Sequence, residues 1–116
     1  MERCRKVTAC LVLAACVAAA AEHPVFALND RESRVKSVAS YAMGVMFDLY
    51  GRTDDAIAAF QTASSHQDGY AIRLRLGADY ARLGRLSEAV VNLRKALEFD
   101  PENVQARYLL ALIYSI

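Results

Sequence analysis

Chemistry needs polar groups that converge, and the first pair to suggest it here is Asp54-Asp55, adjacent carboxylates that could divide acid and base work. Thr53 directly before them offers a simpler account. A threonine followed by two acidic residues starts a helix strongly, through capping and the positive charge of a helix N-terminus. The two histidines, His23 and His66, have no cysteine, histidine or carboxylate at metal-ligand spacing. His66 reads as a solvated loop residue. Cys4, Cys10 and Cys16 all lie near the start, so a chain cut behind them carries no thiol, no disulfide framework and no cysteine-based metal site. Gly44, Gly51, Gly77 and Gly84 recur singly and never cluster into a loop that could cradle phosphate. There is no nucleophile motif. The sequence predicts no catalytic residue, no cofactor and no metal.

The beginning of the chain reads as an address. Arg3, Arg5 and Lys6 form a basic start, and a run of apolar character extends from Val7 to Ala21 before Glu22-His23-Pro24 turns the chain polar. Such a run falls short of the ~20 residues that span a bilayer comfortably. A basic start, a short apolar middle and small residues before a cut mark a secretory signal, here residues 1–27. Ala19-Ala20-Ala21 and Val25-Phe26-Ala27 both offer cleavage sites. Leu13-Ala14-Ala15-Cys16 resembles the lipobox of bacterial lipoproteins, in which Cys16 would be lipidated, although apolar residues follow it where a polar tether is usual. Ordinary cleavage, lipidation at Cys16 and an uncleaved anchor remain as three readings. Each implies export to a periplasm or envelope.

From Leu28 onward eleven Lys+Arg balance eleven Asp+Glu, so the remaining domain, residues 28–116, is formally neutral. Nucleic acid demands a basic face, and an interspersed neutral surface argues against it. The elements that organise this domain are helices. Asn29 to Tyr50 should form a long first helix, with Asn29 and Glu32 as a capping-box-like start and Gly51 as its end. The stretch Tyr70–Asn103 then describes two helices folded together. Leu76, Gly77 and Tyr80 share one face of the first, and Gly84 ends it, since glycine enters the left-handed conformation cheaply. Ser87 with Glu88 caps the second, on which Ala89, Leu93 and Ala96 form a narrow stripe. Asp100-Pro101 stops that helix and suits the first position of the next.

The order Leu76-Gly77-x-x-Tyr80, Gly84, Ala89-x-x-x-Leu93, Ala96, Pro101 resembles the tetratricopeptide repeat, a unit of about 34 residues whose helix pairs stack into a superhelix. Arg73 departs from the pattern, standing where the family usually has a large apolar residue. The pattern repeats backwards over residues 37–69, with Met43-Gly44-x-x-Phe47, Gly51, Ala56-x-x-x-Phe60 and Ala63. That period is one residue short, Asp68 takes the proline position, and Ser64 to Gly69 signal a loop. A partial repeat over residues 104–116 carries Leu110-Ala111-x-x-Tyr114. The resemblance thus implies an all-α solenoid of antiparallel helix pairs, about two and a half repeats over residues 37–69, 70–103 and 104–116.

It also implies a function on a surface. In this family the groove lined by first helices holds protein or peptide partners. Register with the family pattern places Val38, Tyr41, Val45 and Asp48 on that groove, then Leu74, Arg75, Ala78 and Arg82, then Tyr108 and Leu112. The lysine and asparagine clamp that grips a terminal carboxylate in some members is absent at the matching positions. Tyr41 and Leu74 read as packing residues; Arg75 and Arg82 are better partner contacts, unless Asp48 or Asp79 occupies them. Tyr108 to Ile116 has almost no polar face, and a large exposed apolar patch usually marks an interface. Self-association through that last helix is one expectation, and a chain that continues is another. The favoured reading is a non-catalytic binding or scaffolding module of an exported bacterial protein. The alternatives are the docking segment of a longer enzyme and a subunit of an envelope assembly.

Overall fold

Glycine decides where these helices touch. The computed structural model describes residues 27–116, and every regular element among them is helical. The chain divides into two compact units, Met1–Glu32 and Ser33–Ile116. Of the first, the described residues 27–32 are helical. The second holds α1 (residues 33–49), α2 (Thr53–His66), α3 (Tyr70–Arg82), α4 (Leu86–Phe99) and α5 (Val104–Tyr114). The expected export signal, its cleavage sites and lipidation at Cys16 lie outside the described residues, save Ala27.

In the Ser33–Ile116 unit, α1 meets α2 at Gly44 and α3 meets α4 at Gly77. A Cβ on Gly44 would lie 2.5 Å from Phe60 Cε1, and one on Gly77 would lie 2.5 Å from Leu93 Cγ. Only a residue with no side chain admits each large neighbour. Both pairs then close in the same way. Gly51 and Gly84 adopt φ of 71° and 75°, the left-handed region that ends a helix. The N–H of Arg52 donates to the Phe47 carbonyl at 2.9 Å and that of Arg85 to the Tyr80 carbonyl at 2.8 Å. The N–H groups of Gly51 and Gly84 donate to the carbonyls of Asp48 and Ala81, both at 3.0 Å, completing the same double-bonded helix end twice.

These turns correct two expected caps. Thr53 and Ser87 sit inside their helices, and the N-cap residues are Arg52 and Arg85, neither making a side-chain cap bond. The glycine turn brings arginine to the helix entrance, and each arginine bonds forward to an acidic residue in the first turn. Arg52 Nε donates to Asp55 Oδ2 at 2.7 Å and Arg85 Nη2 to Glu88 Oε1 at 2.8 Å. Each guanidinium also lies over the ring ending the preceding helix, 4.9 Å from Phe47 and 4.8 Å from Tyr80. Asp54 and Asp55 stand in the first turn of α2, where the helix dipole favours them.

Three further boundaries differ from expectation. Residues 27 and 28 are already helical, so Asn29 does not cap its helix; Ala27 and Leu28 are strong helix formers. Ser64 and Ser65 belong to α2, and their hydroxyls bond back to the carbonyls of Gln61 and Thr62 at 2.9 and 2.7 Å. The loop is thereby confined to residues 67–69. Pro101 lies in a turn and not at the start of α5. Asn103 caps that helix, its side chain accepting from the Ala106 N–H at 2.9 Å.

The core runs along the stack in two clusters. Ala56, Ile57, Phe60 and Ala63 of α2 join Ile72, Leu76 and Tyr80 of α3 and Ala89 of α4. Leu93 and Ala96 of α4 join Ala106 and Leu110 of α5. Alanine recurs at the crossings because helices approach closely only over small side chains. Arg73, the departure from the family pattern, is half-buried and spans two connections. Its Nη2 donates to Asp68 Oδ2 at 2.6 Å and its Nη1 to Asn92 Oδ1 at 3.0 Å. Arg73 thus links the short loop, through an ion pair, to α4, through a hydrogen bond, where a large apolar side chain would otherwise fill.

Candidate protein-docking groove

The first helices of the repeats stand side by side, and their facing sides carry the groove. α1 enters it with Tyr41, Val45 and Asp48. Tyr41 is half-buried, its ring 5.5 Å from that of Phe60, and Val45 packs on the same cluster. α3 contributes Leu74, packed against the second cluster, half-buried Ala78, and the exposed Arg75 and Arg82. α5 contributes Tyr108 and Leu112, exposed at 61% and 45%.

At the upstream end the groove deepens into an apolar cleft of about 300 Å³ between α1 and the start of α3. Val38, Tyr41, Tyr70 and Ile72 line it, with Ser37 and Gly69 at its edge. Ser37 is buried, and its hydroxyl donates toward the carbonyls of Ala63 at 3.0 Å and Gln67 at 2.9 Å. That contact fastens α1 to the end of α2, so the near wall of the cleft is held in place.

Two helical turns further along α1 the groove becomes ionic. Arg82 Nη1 donates to Asp48 Oδ1 at 3.1 Å and lies 3.3 Å from Asp79 Oδ1. Arg75 Nη1 stands 3.9 Å from Asp48 Oδ2. Both guanidiniums face solvent, whereas the Asp79 side chain is 1% exposed beneath them. Asp48 Oδ2 and both carboxyl oxygens of Asp79 are buried without a hydrogen-bond donor. Buried polar groups are almost always satisfied, so three orphan acceptors on two carboxyls require an explanation. A single proton accounts for two of them: a protonated Asp79 becomes a donor to Asp48. Burial first, and then the neighbouring Asp48 charge, push the Asp79 carboxyl up to about 7, against the lowering effect of Arg82 and Arg75.

Sequence reasoning placed Asp48, Arg75 and Arg82 on one surface, and the structure joins them in one cluster. It named Asp79 only as a pairing partner and missed its burial. The signal was there: Asp79 falls three residues after Leu76 and directly before Tyr80, inside the buried stripe of α3. Among the described residues no group of three or more histidines, cysteines or carboxylates could hold a metal, and no helix is long and apolar enough to cross a membrane.

The decisive comparison follows from this geometry. A family model described as TPR repeat matches residues 77–115, from the close-approach glycine of α3 through the end of α5. Residues 77–115 are thus similar to a tetratricopeptide repeat. Repeats of this family mediate protein–protein interaction, typically as non-catalytic modules. The match covers the later part of α3, α4 and α5, while α1 and α2 reproduce the same glycine approach, glycine turn and arginine entrance. No curated protein matches the chain.

Proposed function

We propose that this chain is a non-catalytic docking module that holds a protein or peptide segment along α1 and α3. The observation carrying this reading is the juxtaposition of an apolar cleft at Tyr41 with exposed guanidiniums at Arg75 and Arg82 on adjacent first helices. Of the groove residues named from the sequence, Val38, Tyr41, Val45, Asp48, Leu74, Arg75, Ala78 and Arg82 lie on these two helices, and Tyr108 and Leu112 on α5. The balanced charge of the domain supports a protein ligand over nucleic acid. The basic start and apolar run of residues 1–27 support export to the periplasm or envelope, with Cys16 as an alternative lipid anchor.

Site-specific photocrosslinking in the full chain tests the docking reading. A crosslinker at Val38, which is 67% exposed beside the cleft, should capture a partner that Arg75→Glu/Arg82→Glu releases. The same crosslinker at Lys95, exposed on α4, should not. Equal capture at both positions refutes the groove. A Cys16→Ser variant that leaves membrane fractionation unchanged refutes lipidation.

A second reading concerns α5. Tyr108, Leu112 and Ile116 are 61%, 45% and 91% exposed, an apolar surface of the kind that marks an interface. Its proposed occupant is a second copy of the chain.

A further inference from the structure

The groove reading leaves the chemistry of the partner open, and the ionic cluster narrows it. The carboxylates lie below and the guanidiniums above. A cation approaching from solvent meets Arg75 and Arg82, 46% and 55% exposed, before it could reach an aspartate. The surface therefore selects for negative charge. Its strength depends on what lies underneath. With both aspartates ionised, two negative charges balance two guanidiniums, and an incoming carboxylate gains little. With one proton on Asp79, a single negative charge faces two guanidiniums, and the surface carries one unit of surplus positive charge. The charged groups that act on Asp79 are Asp48 from α1 and Arg82 and Arg75 from α3.

We propose that the docked segment places an acidic side chain on Arg75 and Arg82, and that its docking takes up a proton at Asp79 beneath them. The coupling is reciprocal: a carboxylate that binds better over the protonated pair must also make that proton harder to remove. Because the free carboxyl of Asp79 already titrates near neutrality, the linkage falls where pH can act on it.

The spacing of the segment follows from α1. Tyr41 and Asp48, seven residues apart, sit on one face about 10 Å apart along the axis. An extended chain covers that distance in about three residues. The ligand is thus a short extended segment with an apolar or aromatic residue for the cleft and an acidic residue about three positions away.

This inference rests on the groove reading, and the experiment separates the two. The probe is a fluorescent peptide with one phenylalanine followed three residues later by one glutamate, alongside its glutamine counterpart. Both are titrated with the full chain at pH 6 and pH 8. The glutamate peptide should bind roughly fivefold tighter at pH 6, and the glutamine peptide should bind more weakly with no pH dependence. Calorimetry in two buffers of different ionisation enthalpy should register proton uptake for the glutamate peptide alone. Asp79→Asn keeps the shape of the side chain and should remove the pH dependence while retaining binding. Asp48→Asn serves as an independent check and should move the pH dependence to lower pH, because the Asp48 charge no longer raises Asp79 while burial still does. If both peptides bind equally, the groove stands and the acidic contact is wrong. If the pH dependence survives Asp79→Asn, or is unmoved by Asp48→Asn, the proton is elsewhere and the coupling is wrong. If neither peptide binds at either pH, the groove reading falls and takes this inference with it.

Discussion

Asp48 on α1 and Asp79 on α3 face each other across the seam between two repeats, with three of their four carboxyl oxygens buried and lacking a donor. The guanidiniums of Arg75 and Arg82 neutralise part of that charge from above without supplying the missing hydrogen bonds. An uncompensated buried carboxylate is costly, and the usual response is to keep its proton. The seam is therefore both a joint of the fold and a place where protonation is felt.

Stability should consequently fall as the solution becomes more alkaline. The Asp79 carboxyl is raised from 3.8 to about 7 in the folded chain. Between these values the folded state holds a proton that the unfolded state has released. Raising the pH through that window costs stability, and above it the loss levels off. Asp79→Asn should flatten the profile and stabilise the chain at pH 8 by about 1–3 kcal/mol. That is below the ~4 kcal/mol of the full displacement, because the buried asparagine amide carries a desolvation cost of its own. Urea unfolding at pH 5 and pH 8 checks it; a variant less stable than the parent at pH 8 defeats the argument.

Close approach gives a sharper test. Gly77→Ala would put a methyl 2.5 Å from Leu93 Cγ, at a residue that is fully buried. Overpacking of this kind costs about 1–3 kcal/mol. Leu93→Ala alone should cost about 2–5 kcal/mol through its cavity. Combined, the two should destabilise less than their sum, since each relieves the other. Thermal unfolding of the four-member cycle measures the coupling, and simple additivity would show that the helices do not meet there.

Asp68 and Arg73 make a second cycle. Arg73 is only 17% exposed at its side chain and bonds Asp68 at 2.6 Å. Asp68→Ala strands a mostly buried guanidinium and should cost about 2–4 kcal/mol. Arg73→Leu added to it restores the apolar character usual in the family and should recover most of that loss. Denaturant midpoints of the single and double variants decide the matter; no recovery in the double variant would mean that Arg73 matters for more than its pairing.

These sites differ in how far the sequence announces them. Gly44, Phe60, Gly77 and Leu93 were legible because close packing admits few residue types, and the same demand recurs along the chain. The left-handed turns at Gly51 and Gly84 were legible for a similar reason. The helix entrances were not. Thr53 and Ser87 have good capping chemistry, yet the glycine turn sets the backbone one residue earlier and hands the position to arginine. Asp79 was hidden because charge normally implies exposure. Its burial depends on α1 lying across it, a long-range fact that no local pattern encodes. Arg73 likewise has no meaning until the short loop folds back to bring Asp68 within reach.

The last helix carries the remaining prediction. Leu110 and Ala106 of α5 are buried against α4, and Tyr114 Oη accepts from Arg94 Nη2 at 2.8 Å, so this side of the helix is engaged. The opposite side shows Tyr108 and Leu112, one turn apart, at 61% and 45% exposure. A face of this kind gains roughly 1.5–3 kcal/mol for each large side chain it buries. With a second copy as the occupant, the full chain should associate reversibly at tens of micromolar and above, in line with the few kilocalories such a patch leaves after the entropic cost of joining. Leu112→Lys places a charge at the centre of that face without touching Leu110 or Ala106. It should return the chain to a monomer while leaving its helical content and melting temperature intact. Sedimentation velocity across a concentration series reads the difference. A parent chain that stays monomeric over the whole range removes self-association, and equal association in the variant places the contact away from α5.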